Sequence, residues 1–96
     1  MGFRILRLIE IEVLEKINSF PAKEAERFKE KLKLLKQNPF PSFDSDKKEI
    51  KGTRRTAYRL RVGDYRFFYA IDIENKVVKV TEFLTAEQAH KKYGRL

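Results

Sequence analysis

The chain has 96 residues, enough for one domain with one modest core, since a chain of this length buries roughly 65% of its unfolded surface. It contains 42% hydrophobic residues and no Cys, which excludes a disulfide scaffold, a thiolate metal site and a Cys nucleophile; its single His excludes a multi-histidine metal site. Lys and Arg outnumber Asp and Glu by 22 to 14, and the net charge of +8 favours polyanionic partners.

Residues 3–8 (Phe-Arg-Ile-Leu-Arg-Leu) read as a short strand. From Glu10, Ile11, Leu14 and Ile17 recur at helical spacing up to a break at Asn18-Ser19. Ser19 offers a cap for a second helix, with Pro21 in its first turn and Glu24 and Glu26 near its positive end. Ala25, Phe28, Leu32 and Leu35 share one face of that helix, which runs to Gln37 before Asn38-Pro39-Phe40-Pro41 stops it. Residues 56–62, 65–72 and 76–84 are rich in Tyr, Phe, Val and Ile and read as strands, with turns at Gly63-Asp64 and Glu74-Asn75. Thr85 and Gln88 form a capping box that opens a short helix ending at Tyr93, with Gly94 as its stop. The expected fold is α+β, in the order β-α-α-β-β-β with a short C-terminal helix. One domain spans residues 1–96, its antiparallel sheet packed on a helical hairpin. No apolar stretch approaches the ~18 residues of a membrane span, and the N-terminus does not read as a signal peptide, so a cytoplasmic protein with no membrane partner is expected.

The hairpin register carries the functional reading. With Gly63-Asp64 as a type II′ loop, Val62 opposes Tyr65, Arg61 opposes Arg66, Leu60 opposes Phe67, Arg59 opposes Phe68 and Tyr58 opposes Tyr69. Side chains alternate along a strand, so Tyr58, Leu60, Val62, Tyr65, Phe67, Tyr69 and Ile71 face the helices. Arg59, Arg61, Arg66 and Phe68 face the other way. From Lys47 to Arg66 there are eight basic residues (Lys47, Lys48, Lys51, Arg54, Arg55, Arg59, Arg61, Arg66) against two acidic ones. A fork of guanidinium groups on a rigid sheet suits phosphate oxygens, and Phe68 offers a face on which a base could stack. The bland alternative is a solvated face kept charged against aggregation.

The run Tyr58-Arg59-Leu60-Arg61-Val62-Gly63-Asp64-Tyr65-Arg66-Phe67-Phe68-Tyr69, preceded by Ile50-Lys51-Gly52, resembles the hairpin of the RelE/ParE toxin superfamily. The order of elements is similar over nearly the whole chain. The resemblance implies a toxin of a type II toxin–antitoxin pair, inhibited by an acidic, RelB-like antitoxin. RelE-like members cut messenger RNA in the ribosomal A site without a metal or cofactor, and ParE-like relatives inhibit DNA gyrase and cut no RNA. Carried over, the RelE pattern implies catalytic roles for Arg59, Arg61 and Arg66, with Lys51 as a basic residue upstream and Tyr93 as the tyrosine of the terminal helix. The family's arginine after the fourth strand is missing, because the chain reads Phe83-Leu84-Thr85-Ala86-Glu87 there.

RNA cleavage by its own 2′-OH needs a base, an acid and stabilisation of the phosphorane charge. Arg61 and Arg66 suit the last task, whereas a guanidinium cannot act as a base. Lys51, its pKa lowered by neighbouring cations, could. His90 and Tyr93 share a face of the terminal helix and are acid or base candidates; their alternative role is to rest a helix end on the sheet. Lys47, Lys48, Arg54, Arg55 and Phe68 are the expected RNA contacts, the ribosome and its message the expected partners. The toxin is expected to be monomeric alone and hetero-oligomeric with its antitoxin. The runner-up readings are a gyrase inhibitor of ParE type and a decayed relative that binds RNA without cutting it.

Overall fold

The computed structural model describes residues 6–41, 46–50 and 57–94. Among these, β1 (Leu6–Ile9), β2 (Lys47–Ile50), β3 (Ala57–Val62), β4 (Tyr65–Asp72) and β5 (Val77–Thr85) build one sheet. Its order is β1-β5-β4-β3-β2, parallel between β1 and β5 and antiparallel elsewhere. The helices are α1 (Ile11–Asn18), α2 (Ala22–Lys33) and α3 (Ala86–Tyr93), with a 3-10 turn at Leu34–Lys36 after α2. None of the described helices is long and apolar enough to cross a membrane. The α+β fold expected from the sequence is present, with one correction to its antiparallel sheet: β1 joins the edge of β5 in parallel, and only the other pairs are antiparallel.

One side of the sheet carries the main core. Val13 and Ile17 of α1 and Ala25, Phe28 and Leu32 of α2 are buried against Leu60, Val62, Phe67, Tyr69, Val78, Val80 and Phe83. Each fully buried side chain of this size contributes about 1.5–3 kcal/mol, so these elements are bound chiefly by this face. Phe28 is its hub, with ring centroids 5.0 Å from Phe83, 5.1 Å from Phe20, 5.3 Å from Tyr65 and 5.8 Å from Phe67. The Tyr69 hydroxyl donates to the Pro39 carbonyl (2.6 Å), which ties the chain after α2 to the sheet.

The β3–β4 register is the one read from the sequence, pair for pair from Tyr58↔Tyr69 to Val62↔Tyr65. Gly63 takes φ +58°, while Asp64 is not among the residues of positive φ, as a type II′ turn requires. Three local expectations differ. Ser19 closes α1 instead of capping α2: its hydroxyl donates to the Lys16 carbonyl (2.6 Å), and Pro21 stands in the cap position of α2. Phe20, between them, turns its ring into the core against Phe28 and Tyr65, which sets Ser19 too far back to reach the second helix. The end of the second helix tightens into the 3-10 turn before Gln37. The strand β2 was not expected at all, since Lys-Lys-Glu-Ile shows no alternation of its own and is extended by pairing with β3.

Candidate active site

The opposite face of the sheet is assembled in rows. Lys48 pairs with Arg59, Arg59 with Phe68, and Phe68 with Glu82, so these four side chains cross β2, β3, β4 and β5 on one side. The next row holds Arg61, Arg66 and Leu84. A second small core lies here, in which Ile50, Phe68 and Ala89 are buried with Ala57, Leu84 and Tyr93 against them. It docks α3 onto the basic face.

Docking starts at the N-terminus of α3. The Thr85 hydroxyl accepts from the Gln88 N–H (3.1 Å), the Gln88 side chain accepts from the Thr85 N–H (3.0 Å), and the Ala86 N–H donates to the Asp64 carbonyl (2.8 Å). At the other end the Tyr93 ring lies 4.6 Å from that of Phe68, and its hydroxyl donates to the Glu82 carboxylate. Glu82 also pairs with Lys92 at 2.5 Å. Gly94, at φ +78°, ends the helix as expected and donates to the His90 carbonyl.

Under α3 lies a cavity of about 140 Å³, lined by Arg59, Arg66, Ala86, Ala89, His90 and Gly94. Arg59 is only 8% exposed, and its Nε has no hydrogen-bond partner among the described residues. Burial, followed by the charges of Arg66 and Arg61, draws the Arg59 guanidinium below its usual range; burial and Arg61 do the same to Arg66. Both stay cationic, because guanidinium keeps its proton in proteins. Arg66 turns one Nη toward the carbonyls of Gly63 and Tyr65 (2.8 and 2.9 Å), which sets its position at the cavity rim. Crowded cations with an unmet donor are costly to hold, and an anion between them relieves the cost.

The sequence-predicted residues divide accordingly. Arg59, Arg66 and His90 converge on the cavity. Arg61 shares their face but turns outward, its Nε and Nη both on Asp46 Oδ1 (3.2 and 3.0 Å). Lys48 is exposed beside Arg59, whereas Lys47 stands on the helix side of the sheet and donates to the Asn38 carbonyl (2.6 Å). Lys47 is thus apart from the arginine face, because pairing with Leu60 sets its direction. Phe68 is 2% exposed beneath Tyr93 and Ala89, so the open stacking face expected for it is covered by α3. The Tyr93 hydroxyl is committed to Glu82. Lys51, Arg54 and Arg55 lie outside the described residues. Sequence reasoning missed Asp46 and Glu82; the only signal for Glu82 was its place across from Phe68, which depends on the β4–β5 register.

The tyrosines give the protein an alkaline limit. Burial raises the Tyr69 phenol well above its usual value, and burial together with the Glu82 hydrogen bond does the same for Tyr93. Their contribution is complete below the unfolded value of about 10 and is lost as pH climbs beyond it. Urea midpoints are expected to stay level from these groups up to about pH 10 and then fall. A midpoint still level well above that pH would show that neither phenol is held protonated by the fold.

Comparison with known proteins agrees with this architecture. The family model described as "ParE toxin of type II toxin-antitoxin system, parDE" matches residues 11–90. A protein of Methanocaldococcus jannaschii named "Putative toxin RelE1" is 30% identical over 83 residues, covering 86% of this chain and 91% of the relative. RelE from the RelE–RelB complex of Pyrococcus horikoshii superposes with a TM-score of 0.73 at 29% identity, over 85% of this chain and 94% of the other. A double arginine-to-alanine mutant of E. coli RelE in the free state shares the fold, with a TM-score of 0.69 at 18% identity, over 98% and 95% of the two chains. The chain belongs to the RelE/ParE superfamily and is a toxin of a type II toxin–antitoxin system.

Proposed function

We propose that this toxin is a ribosome-dependent, metal-independent mRNA endoribonuclease whose site is the Arg59–Arg66–His90 cavity. The observation that carries the reading is the buried Arg59 with an unmet Nε, beside a second arginine and an imidazole. In this mechanism the 2′-OH attacks the adjacent phosphorus and the 5′ oxygen leaves, so the upstream fragment ends in a 2′,3′-cyclic phosphate. Arg59 and Arg66 stabilise the phosphorane oxygens. His90 is the group in the cavity able to exchange a proton with the attacking or leaving oxygen. Lys48 and Arg61 add steering charge at the rim, and in-line geometry imposed by the ribosome supplies the remainder of the rate.

Arg61 is held by Asp46 until a phosphate competes for it. Asp46→Asn is expected to leave stability within about 0.5 kcal/mol, since exposed pairs contribute little. RNA affinity is expected to rise a few-fold, with a steeper salt dependence, because one more cation is free for phosphate. Urea unfolding and binding titrations at two salt concentrations check both parts.

The partner in the cell is an acidic RelB-like chain that folds over the toxin, as the basic face invites; the Pyrococcus relative was solved with its RelB. The toxin acts in the cytoplasm, as a monomer when free and in a hetero-oligomer when neutralised. A second reading, gyrase inhibition, is favoured by the match to the ParE model and by the lack of an arginine between β5 and α3. Parallel assays of a translating extract and of gyrase supercoiling separate the two. Arrested translation with normal supercoiling supports the nuclease reading, and the reverse overturns it.

A further inference from the structure

We infer that Glu82 is the positioning residue of the site: it anchors the last turn of α3 and so sets His90 over Arg59 and Arg66. The inference rests on the reading of the arginine cavity as the functional site and adds the residue that keeps it closed. Helix α3 has eight residues, and an isolated helix that short is unstable in water, so its position is owed to docking. Its first turn is fixed by the capping box and by the Asp64 carbonyl. Its middle contributes one buried side chain, Ala89. The last turn depends on Tyr93 and Lys92, and both converge on Glu82.

Glu82 is well placed for this. It stands on β5 directly across from Phe68, and its side chain is 24% exposed, so it accepts from Tyr93 in a partly dry setting where a charge-assisted hydrogen bond is strong. The Tyr93 ring covers Phe68 from above while its hydroxyl reaches the neighbouring strand. His90 is three residues before Tyr93, on the same side of the helix, and lines the cavity with the two arginines. Release of the last turn would lift His90 from the cavity and uncover Phe68. No step of the chemistry passes through Glu82 itself.

The test compares Glu82→Ala, Glu82→Gln and the unaltered protein by amide exchange, by pyrophosphate binding read from the His90 imidazole resonances, and by cleavage on programmed ribosomes. Glu82→Ala is expected to speed exchange of the amides of residues 89–93 by about tenfold or more, with the core amides unchanged. Pyrophosphate affinity and the single-turnover rate are expected to fall by a similar factor. Glu82→Gln keeps an acceptor for Tyr93 and is expected to restore all three to within about threefold. Equal exchange of α3 in the alanine variant overturns the inference, as does a loosened α3 with unchanged pyrophosphate affinity. If the unaltered protein cuts no RNA, the nuclease reading fails on its own, and the exchange and pyrophosphate measurements still decide the role of Glu82.

Discussion

Arg59→Met is expected to keep the protein folded, with stability equal to or above that of the unaltered chain, and to lower mRNA cleavage by at least about a hundredfold. The two halves have one cause. Arg59 sits between Lys48 and Phe68 under α3, where burial first, and then the charges of Arg66 and Arg61, draw its guanidinium below the usual range. Its Nε is dry and unpartnered among the described residues, and its Nη reaches the Asp46 carbonyl only at 3.5 Å. Replacing such a group with an apolar one of similar length removes repulsion and desolvation, a change that is commonly neutral or stabilising. In the proposed mechanism the same donor faces the developing phosphorane charge, and loss of one positioned donor typically costs 10²–10³ in rate. Urea unfolding and single-turnover cleavage measure the two effects. A variant that loses about 2 kcal/mol or more of stability would show that Arg59 is a structural residue.

Phe28→Ala is expected to cost about 3–5 kcal/mol of stability, most of what a domain this small has. Phe28 is 3% exposed and touches four other rings, which come from the α1–α2 connection, β4 and β5. Truncation leaves a cavity at the junction of α2 with the sheet, and the aromatic neighbours are too rigid to fill it. Equilibrium unfolding in urea is expected to show a much lower midpoint. Phe28→Leu is expected to recover over half of the loss, since it keeps most of the buried volume. A cost below about 1 kcal/mol for the alanine variant would mean that α2 is held elsewhere.

The parts of the fold legible in the sequence were those governed by local rules. Gly63-Asp64 leaves one sensible hairpin register, and side-chain alternation then sorts each residue of β3 and β4 onto its face. Thr85 and Gln88 announce the start of α3 in the same way. The strand β2 was not legible because Lys47–Ile50 is extended only through its partner. The site was legible as a set of arginines on one face, but not in depth. Whether an arginine is buried or turned to Asp46 depends on where α3 comes to rest. The apolar contacts of α3 are few, chiefly Ala89 and Tyr93. For the same reason Phe68 read as an open platform, although it is the floor on which α3 sits.

The family relationship leaves open which target the toxin strikes, and the missing arginine after β5 makes that the central question. The proposed answer is nuclease action, and it rests on the cavity, where two crowded arginines and an imidazole suit a phosphodiester in the act of breaking. The most direct measurement maps messenger RNA ends in a translating extract given the purified toxin and a chelator, with Arg59→Met alongside. The expected result is new ends within ribosome-covered codons, upstream fragments closed by cyclic phosphate, and their loss in the variant. Intact message with the unaltered toxin, or equal cutting by Arg59→Met, would contradict it.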